Sequence, residues 1–290
     1  MAPKPEELPT YRLTIEYDGS RFAGWQVQKN ARTVAGEVLR ALADAGIEAV
    51  ELGGAGRTDA GVHALAQVAH LRLARSMDPE RLRRAVNDRL PAAVHLLAVE
   101  PAPSRFHARH LAVARSYVYQ ISRRRSAFAK PWAWWVREPL DVGRLRAAAA
   151  LLVGRHDFRL FAVREDVPKS TLVEVASVEV AEDGDLVVLR FVASHYLWRM
   201  VRRLVGSLVR VATGELDAEA FAGLLEGRHP GGEGDPARWT APASGLFLER
   251  VLYPGDPPLP PLAAVTPIVR PPAPSAPPPA GKPPRRRGAR

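Results

Sequence analysis

The sequence predicts an α+β fold made of two similar halves, each mixing helices with a largely antiparallel sheet. Three observations carry this expectation. Segments with a strand period of two and segments with a helical period alternate along residues 10–253. Two strand-like runs are joined by Asp183-Gly184-Asp185, a hairpin signal that favours antiparallel pairing. The order of elements recurs in the second half, although no short sequence repeat does.

Taken in order, Thr10–Tyr17 reads as a strand, with Tyr11, Leu13, Ile15 and Tyr17 on one face. Asp18-Gly19-Ser20 is a turn. Thr33 is a helix N-cap, and Val34, Val38, Leu39 and Leu42 give helical spacing to about Gly46. A glycine-rich loop follows over Gly53–Gly61, then a strand over Ala66–Leu73. Asp78-Pro79 opens a helix to about Leu90, with Pro in its first turn. Val94–Val99 is a strand. In the second half, Tyr117, Tyr119 and Ile121 share one strand face, and Asp141 caps a helix through Val153. Strands Leu172–Val180 and Leu186–Val192 flank the hairpin turn. A long helix over Ser194–Ala212, a short one over Ala218–Leu225 and a last strand over Leu246–Tyr253 complete the body.

This gives a flexible N-terminus over 1–9, halves over 10–115 and 116–253, and a tail over 254–290. The tail holds 14 of the chain's 27 prolines and six basic residues against one acid, so it contributes +5 of the formal +10. Such a segment buries too little apolar surface to offset its ordering entropy, and a disordered, partly polyproline tail is expected. The basic balance points to an anionic partner, nucleic acid or an acidic surface. The absence of cysteine excludes disulfide scaffolds, thiolate metal sites and thiol catalysis. There is no apolar run long enough to span a membrane, and Met1–Pro9 lacks the apolar stretch of a secretory signal. A cytoplasmic protein is expected.

Few segments carry chemistry. In Gly53-Gly54-Ala55-Gly56-Arg57-Thr58-Asp59-Ala60-Gly61-Val62-His63, glycines surround an Arg and an Asp. Such a loop is a tight turn with a surface ion pair, or a ligand-approaching loop with a charged carboxylate. No Gly-Lys-Ser/Thr or Gly-x-Gly-x-x-Gly completes a phosphate or dinucleotide motif. On the predicted helix Ser194–Ala212, Leu197, Met200, Val201, Leu204, Val205, Leu208 and Val211 form an apolar arc. Arg199, Arg203 and Arg210 lie opposite, on a face open to solvent or RNA. Arg202 falls on the shoulder, where its stem can pack while its head enters a cleft. Tyr117 and Tyr119 are packing residues or base-stacking ones, and so are Trp132, Trp134 and Trp135. The histidines show no metal-ligand spacing, so no metal site is expected.

The arrangement of segments resembles the tRNA pseudouridine synthase A family. The resemblance spans about Tyr11 to Pro254. It rests on Tyr17-Asp18-Gly19-Ser20-Arg21-Phe22-Ala23-Gly24-Trp25-Gln26, on Gly56-Arg57-Thr58-Asp59-Ala60-Gly61-Val62-His63-Ala64, and on Phe106-His107-Ala108-Arg109 with Ala114-Arg115-Ser116-Tyr117-Val118-Tyr119. His156-Asp157-Phe158, Leu197-Trp198-Arg199-Met200-Val201-Arg202 with Gly206, and Gly245-Leu246-Phe247-Leu248 follow in order. The resemblance implies isomerisation of uridine to pseudouridine at positions 38 to 40 of the tRNA anticodon stem-loop. It also implies two halves around a central active-site cleft, a homodimer, tRNA as partner, and neither cofactor nor metal.

By the same resemblance, Asp59 is the essential carboxylate, as nucleophile or as the base that removes a sugar proton. Burial disfavours an ionised carboxylate, so a nearby cation is required. Arg202 matches that basic partner. Arg57 matches an Arg that helps displace the target base from its stem. Tyr117 matches the active-site Tyr, suited to stack on uracil and accept the C5 proton, and Leu246 an apolar residue beneath the base. Val173 stands where many members carry an Arg. Two other readings are a non-catalytic tRNA-binding or chaperone protein on this scaffold, and a nucleoside or glycoside hydrolase using Asp59. The first has no use for a carboxylate that repels phosphate. The second normally needs two carboxyl groups across the bond, and no second acid lies in the motif segments.

Overall fold

The computed structural model describes residues 8–163, 170–228 and 234–268. Its strands are β1 (Thr10–Tyr17), β2 (Ala49–Gly54), β3 (His63–Leu73), β4 (Val94–Ala102), β5 (Ala114–Ser122), β6 (Trp134–Trp135), β7 (Gly154–Asp157), β8 (Leu172–Asp183), β9 (Leu186–Ala193) and β10 (Leu246–Leu252). Its helices are α1 (Val34–Asp44), α2 (Pro79–Asn87), α3 (Val142–Ala150), α4 (Met200–Thr213) and α5 (Ala218–Leu225). Four of the five start as their sequence dictates. The side chains of Thr33, Asp78, Asp141 and Asp217 each accept a hydrogen bond from a backbone N–H in the first turn.

All the strands join one sheet, in the order β4-β1-β3-β10-β5-β9-β8-β7, with β2 paired to β3 and β6 to β5. Pairing is antiparallel except for β10 with β3 and β6 with β5. The last strand therefore closes the seam between the halves. It runs antiparallel to β5, placing Leu246 opposite Tyr119 and Leu248 opposite Tyr117. Arg190 of β9 fixes β10 from the other face. It is 2% exposed and grips the Glu249 carboxylate with Nε at 2.8 Å and Nη2 at 2.7 Å, while Ser116 Oγ donates to the same group. Buried charges of this kind persist only when paired and hydrogen-bonded. β4 lies on the sheet edge, which is where Pro101 is tolerated.

Alternation along β5 separates two cores. Tyr117, Tyr119 and Ile121 face the helices and join Val38, Leu42, Leu82, Val86, Leu145, Leu204 and Phe221. Val118 faces the other way, with Leu186 and Val188 of β9.

The structure differs from the sequence expectation at several places. β2 occupies the start of the expected glycine-rich loop. Gly53 and Gly54 weaken a strand signal, yet each is needed there: a Cβ would lie 2.2 Å from the His70 ring and 2.4 Å from the Trp25 indole. The long helix begins at Met200, not Ser194, because Arg199 takes a left-handed conformation with φ of 61°. Arg203 does not face solvent. It is buried and donates to the Ala162 carbonyl. Leu8 is buried, and Pro9 accepts from the Leu73 N–H, so residues 8 and 9 are not part of a flexible terminus. Residues 254–268 are not a disordered tail either. Leu262, Ala264, Val265 and Ile268 pack on the Val118–Leu186–Val188 face. Residues 1–7 and 269–290 lie outside the described residues. Val173, in place of the expected Arg, is 1% exposed in the main core, where an apolar side chain fits.

Gly206 sets the spacing between α4 and residues 236–241. A Cβ there would lie 1.5 Å from the Trp239 carbonyl oxygen. Gly206→Ala is expected to lower stability by about 1–3 kcal/mol through overpacking, read as a lower urea midpoint. An unchanged midpoint would show that the 236–241 segment yields at little cost.

Candidate active site

The loop between β2 and β3 is held along its whole length. Arg115 Nη2 donates to the Ala55 carbonyl at 3.1 Å, and Gln67 Nε2 to the Gly56 carbonyl at 3.0 Å. The hydroxyls of Tyr17 and Thr58 are 2.8 Å apart in a buried contact. The Trp25 N–H donates to the Thr58 carbonyl, and the Gly61 N–H to that of Phe22. Gly24, at φ of 95°, lies so close that a Cβ would stand 2.3 Å from the Thr58 oxygen. The Tyr17–Gln26 segment is thus a clamp on the Asp59 loop. Sequence reading assigned no such role to Tyr17, Gly24, Gln67 or Arg115; the order of glycines and aromatics was the available signal.

His63 closes the loop. The Gly19 N–H donates to its Nδ1 at 3.1 Å, so Nδ1 carries no proton, and Nε2 donates to the Pro131 carbonyl at 3.1 Å. Asp18 Oδ1, 3.2 Å from Nδ1, is a neighbour of a neutral ring and not an ion-pair partner. Burial pushes the His63 pKa below its ordinary 6.5.

α4 brings Arg202 to Asp59 from the other half. Its Nη1 lies 3.2 Å from Asp59 Oδ2, with the two side chains 16% and 19% exposed. Nε donates to the Ala241 carbonyl at 2.8 Å, and the Ala241 N–H returns a bond to the Arg202 carbonyl. The Tyr119 hydroxyl donates to the next carbonyl, that of Pro242. The guanidinium is thereby fixed on one edge and presented to the carboxylate on the other, which is the geometry that suits Arg rather than Lys.

Tyr117 and Leu246 lie on the helix side of the sheet, 8% and 5% exposed. The Tyr117 ring meets Tyr196 edge-on at 5.0 Å. Burial, with smaller contributions from Tyr17 and Asp59, pushes the Tyr117 phenol well above its ordinary value, so the ring is neutral. Arg57 is exposed, and among the described residues no ion pair joins it to Asp59. Of the residues expected at the site, Asp59 and Arg202 are in contact, Tyr117 and Leu246 line the adjoining sheet face, and Arg57 stands outside. Among the described residues no group of three or more His, Asp or Glu is arranged to hold a metal, and no helix is long and apolar enough to cross a membrane.

Residues 13–110 and 148–254, more than half of the chain, match the family described as tRNA pseudouridine synthase. The chain belongs to the tRNA pseudouridine synthase family. Among its relatives, the tRNA pseudouridine synthase A of Beijerinckia indica is 42% identical over 255 residues, covering 86% of this chain and 95% of that protein. That of Nitrobacter hamburgensis is 42% identical over 249 residues, covering 85% of this chain and 100% of that protein. The family match contains the Tyr17–Gln26 clamp, Gln67, Asp59, Arg202 and Leu246, while Arg115 and Tyr117 lie between its two parts.

The neutral His63 has a stability signature. Its folded pKa is depressed, so the unfolded chain takes up a proton that the folded ring resists. Its contribution to stability is present above pH 6.5 and is lost as pH falls below that value. In His63→Gln this part of the acid sensitivity is expected to disappear. Urea midpoints from roughly pH 7.5 down to 5.5 should fall more steeply in the native chain than in the variant; parallel slopes would show that the folded ring protonates freely.

Proposed function

We propose that the protein isomerises uridine to pseudouridine in tRNA, at positions 38 to 40 of the anticodon stem-loop, with Asp59 as its essential carboxylate. The observation that carries the reading is the Asp59–Arg202 contact at 3.2 Å, made between halves in a chain of this family. The reaction breaks the N-glycosidic bond, turns the base and rejoins it through carbon, with no net oxidation. An ionised Asp59 serves it either by attacking as nucleophile or by taking a sugar proton. Arg202 offsets the cost of keeping that charge in a partly buried place. Arg57, exposed beside the carboxylate in sequence, is free to enter a stem and displace the target base, whose unstacking costs a few kcal/mol. Tyr117 offers a neutral ring for stacking. Leu246 gives the base an apolar floor. A homodimer acting in the cytoplasm follows from the same family reading.

A non-catalytic tRNA binder is the competing reading. It leaves Asp59 unexplained, since a carboxylate repels phosphate and the chain here spends an Arg on keeping it. Asp59→Asn is expected to bind tRNA as the native chain does and to form no pseudouridine. Arg202→Ala should lower kcat about a hundredfold, as loss of one charged contact at a reacting centre does. Pseudouridine mapping in tRNA incubated with each purified protein is the test. Native-rate product from Asp59→Asn, or none from the native chain, would reject the assignment.

A further inference from the structure

The segment after the family match lies against the sheet face opposite the proposed site. Its apolar residues Leu262, Ala264, Val265 and Ile268 cover Val118, Ala129, Ala133, Leu186 and Val188. Gln120, which is fully buried on β5, uses its whole hydrogen-bonding capacity on this contact and on the loop beside it. Its Oε1 accepts from the N–H groups of Val265 at 2.7 Å and Thr266 at 3.1 Å. Its Nε2 donates to Thr266 Oγ1 and to the Trp132 carbonyl, both at 2.8 Å. The Ala264 N–H adds a bond to Asp183 Oδ2 at 3.2 Å.

The chain of contacts continues to the Asp59 loop. Trp132 packs on the His63 ring at 5.1 Å, and the neighbouring Pro131 carbonyl accepts the His63 Nε2 proton. Phe247 also stacks on that ring, at 4.7 Å. His63 in turn accepts from Gly19 and begins β3, where the loop ends.

We propose that residues 262–268 form a strap that, through Gln120, holds residues 129–132 on His63 and so positions the loop carrying Asp59. Gln120 and His63 are then positioning residues. A strap that served only to cover apolar surface would not need a buried amide spending both acceptor sites and one of its two donors on it. Removing the strap leaves Gln120 Oε1 without both of its donors in a buried place, a state that folded proteins avoid by local rearrangement. The rearrangement falls on residues 129–132, because Gln120 also holds them.

The proposal rests on the pseudouridine synthase reading for its activity readout, and on hydrogen exchange for an independent one. Three chains are compared with the native one: a chain ending at Ile268, a chain ending at Pro258, and full-length Gln120→Met. The chain ending at Ile268 is expected to keep native kcat and native amide protection. The chain ending at Pro258 should lose protection at residues 129–133 and 55–62, and its kcat should fall about tenfold while KM for tRNA moves less than about twofold. Gln120→Met should reproduce both effects in part. Combined with the shorter truncation, it should add little, as expected for one pathway. Native protection and kcat without the strap would overturn the proposal, and so would additive effects. If the chain ending at Pro258 does not fold, Gln120→Met alone decides, and native protection at 55–62 in that variant overturns it. If the native chain forms no pseudouridine, the function reading fails while the exchange comparison still judges the strap.

Discussion

The Asp59–Arg202 contact joins residues 143 positions apart, and much of the central fold serves to make it. Neither side chain can reach the other unless the halves share a rigid frame. β10 provides the frame by pairing with β3 on one side and β5 on the other, so the seam of the sheet is also its middle. On the helix side, Gly206 lets residues 236–241 press against α4, and the Ala241 carbonyl can then orient the guanidinium. On the loop side, Tyr17, Trp25, Gln67 and Arg115 fix the backbone from which Asp59 projects. Either set alone would leave one partner of the pair unplaced.

The groups around the pair are mostly uncharged, and this matters as much as the pair itself. Burial keeps the phenols of Tyr17 and Tyr117 protonated, and His63 is a neutral ring whose lone pair is taken by Gly19. Arg115 is the cation among the loop's clamps, and its guanidinium is spent on the carbonyls of Ala55, Arg109, Ala112 and Ser194. The Asp59 carboxylate is therefore served by a cation delivered from the opposite half. An exposed pair of this kind would contribute little. At 16% and 19% exposure the interaction is screened less and its geometry is held.

Elements whose signals are local were legible in the sequence. The caps at Thr33, Asp78 and Asp141 marked three helix starts, and the Asp183-Gly184-Asp185 turn marked the β8–β9 hairpin, where Gly184 has φ of 57°. What escaped depended on partners distant in sequence. Gly53 and Gly54 read as loop because a strand signal lives in side chains, and these residues are small so that His70 and Trp25 can approach. The 254–268 segment read as disordered because its composition is proline-rich. Its few apolar residues are enough when a buried glutamine and an apolar sheet face wait for them. For the proposed site, the family motifs pointed to Asp59 and Arg202 together, but the clamp of Tyr17, Gly24 and Gln67 is visible only in three dimensions.

The misplaced start of α4 shows how local strain serves the site. Periodicity alone carried the helix back to Ser194, since Leu197 keeps the apolar spacing and is in fact buried. Had the helix begun there, Arg202 would lie in its interior. Instead Arg199 adopts a left-handed backbone, which costs a residue with a Cβ about 1–2 kcal/mol. The break places Arg202 in the first turn of α4, at the end where the helix dipole favours an anion. From that first turn the guanidinium reaches Asp59 Oδ2 at 3.2 Å. A break that makes no sense for the helix as an isolated element becomes intelligible once the helix is seen as the holder of the charge opposite Asp59.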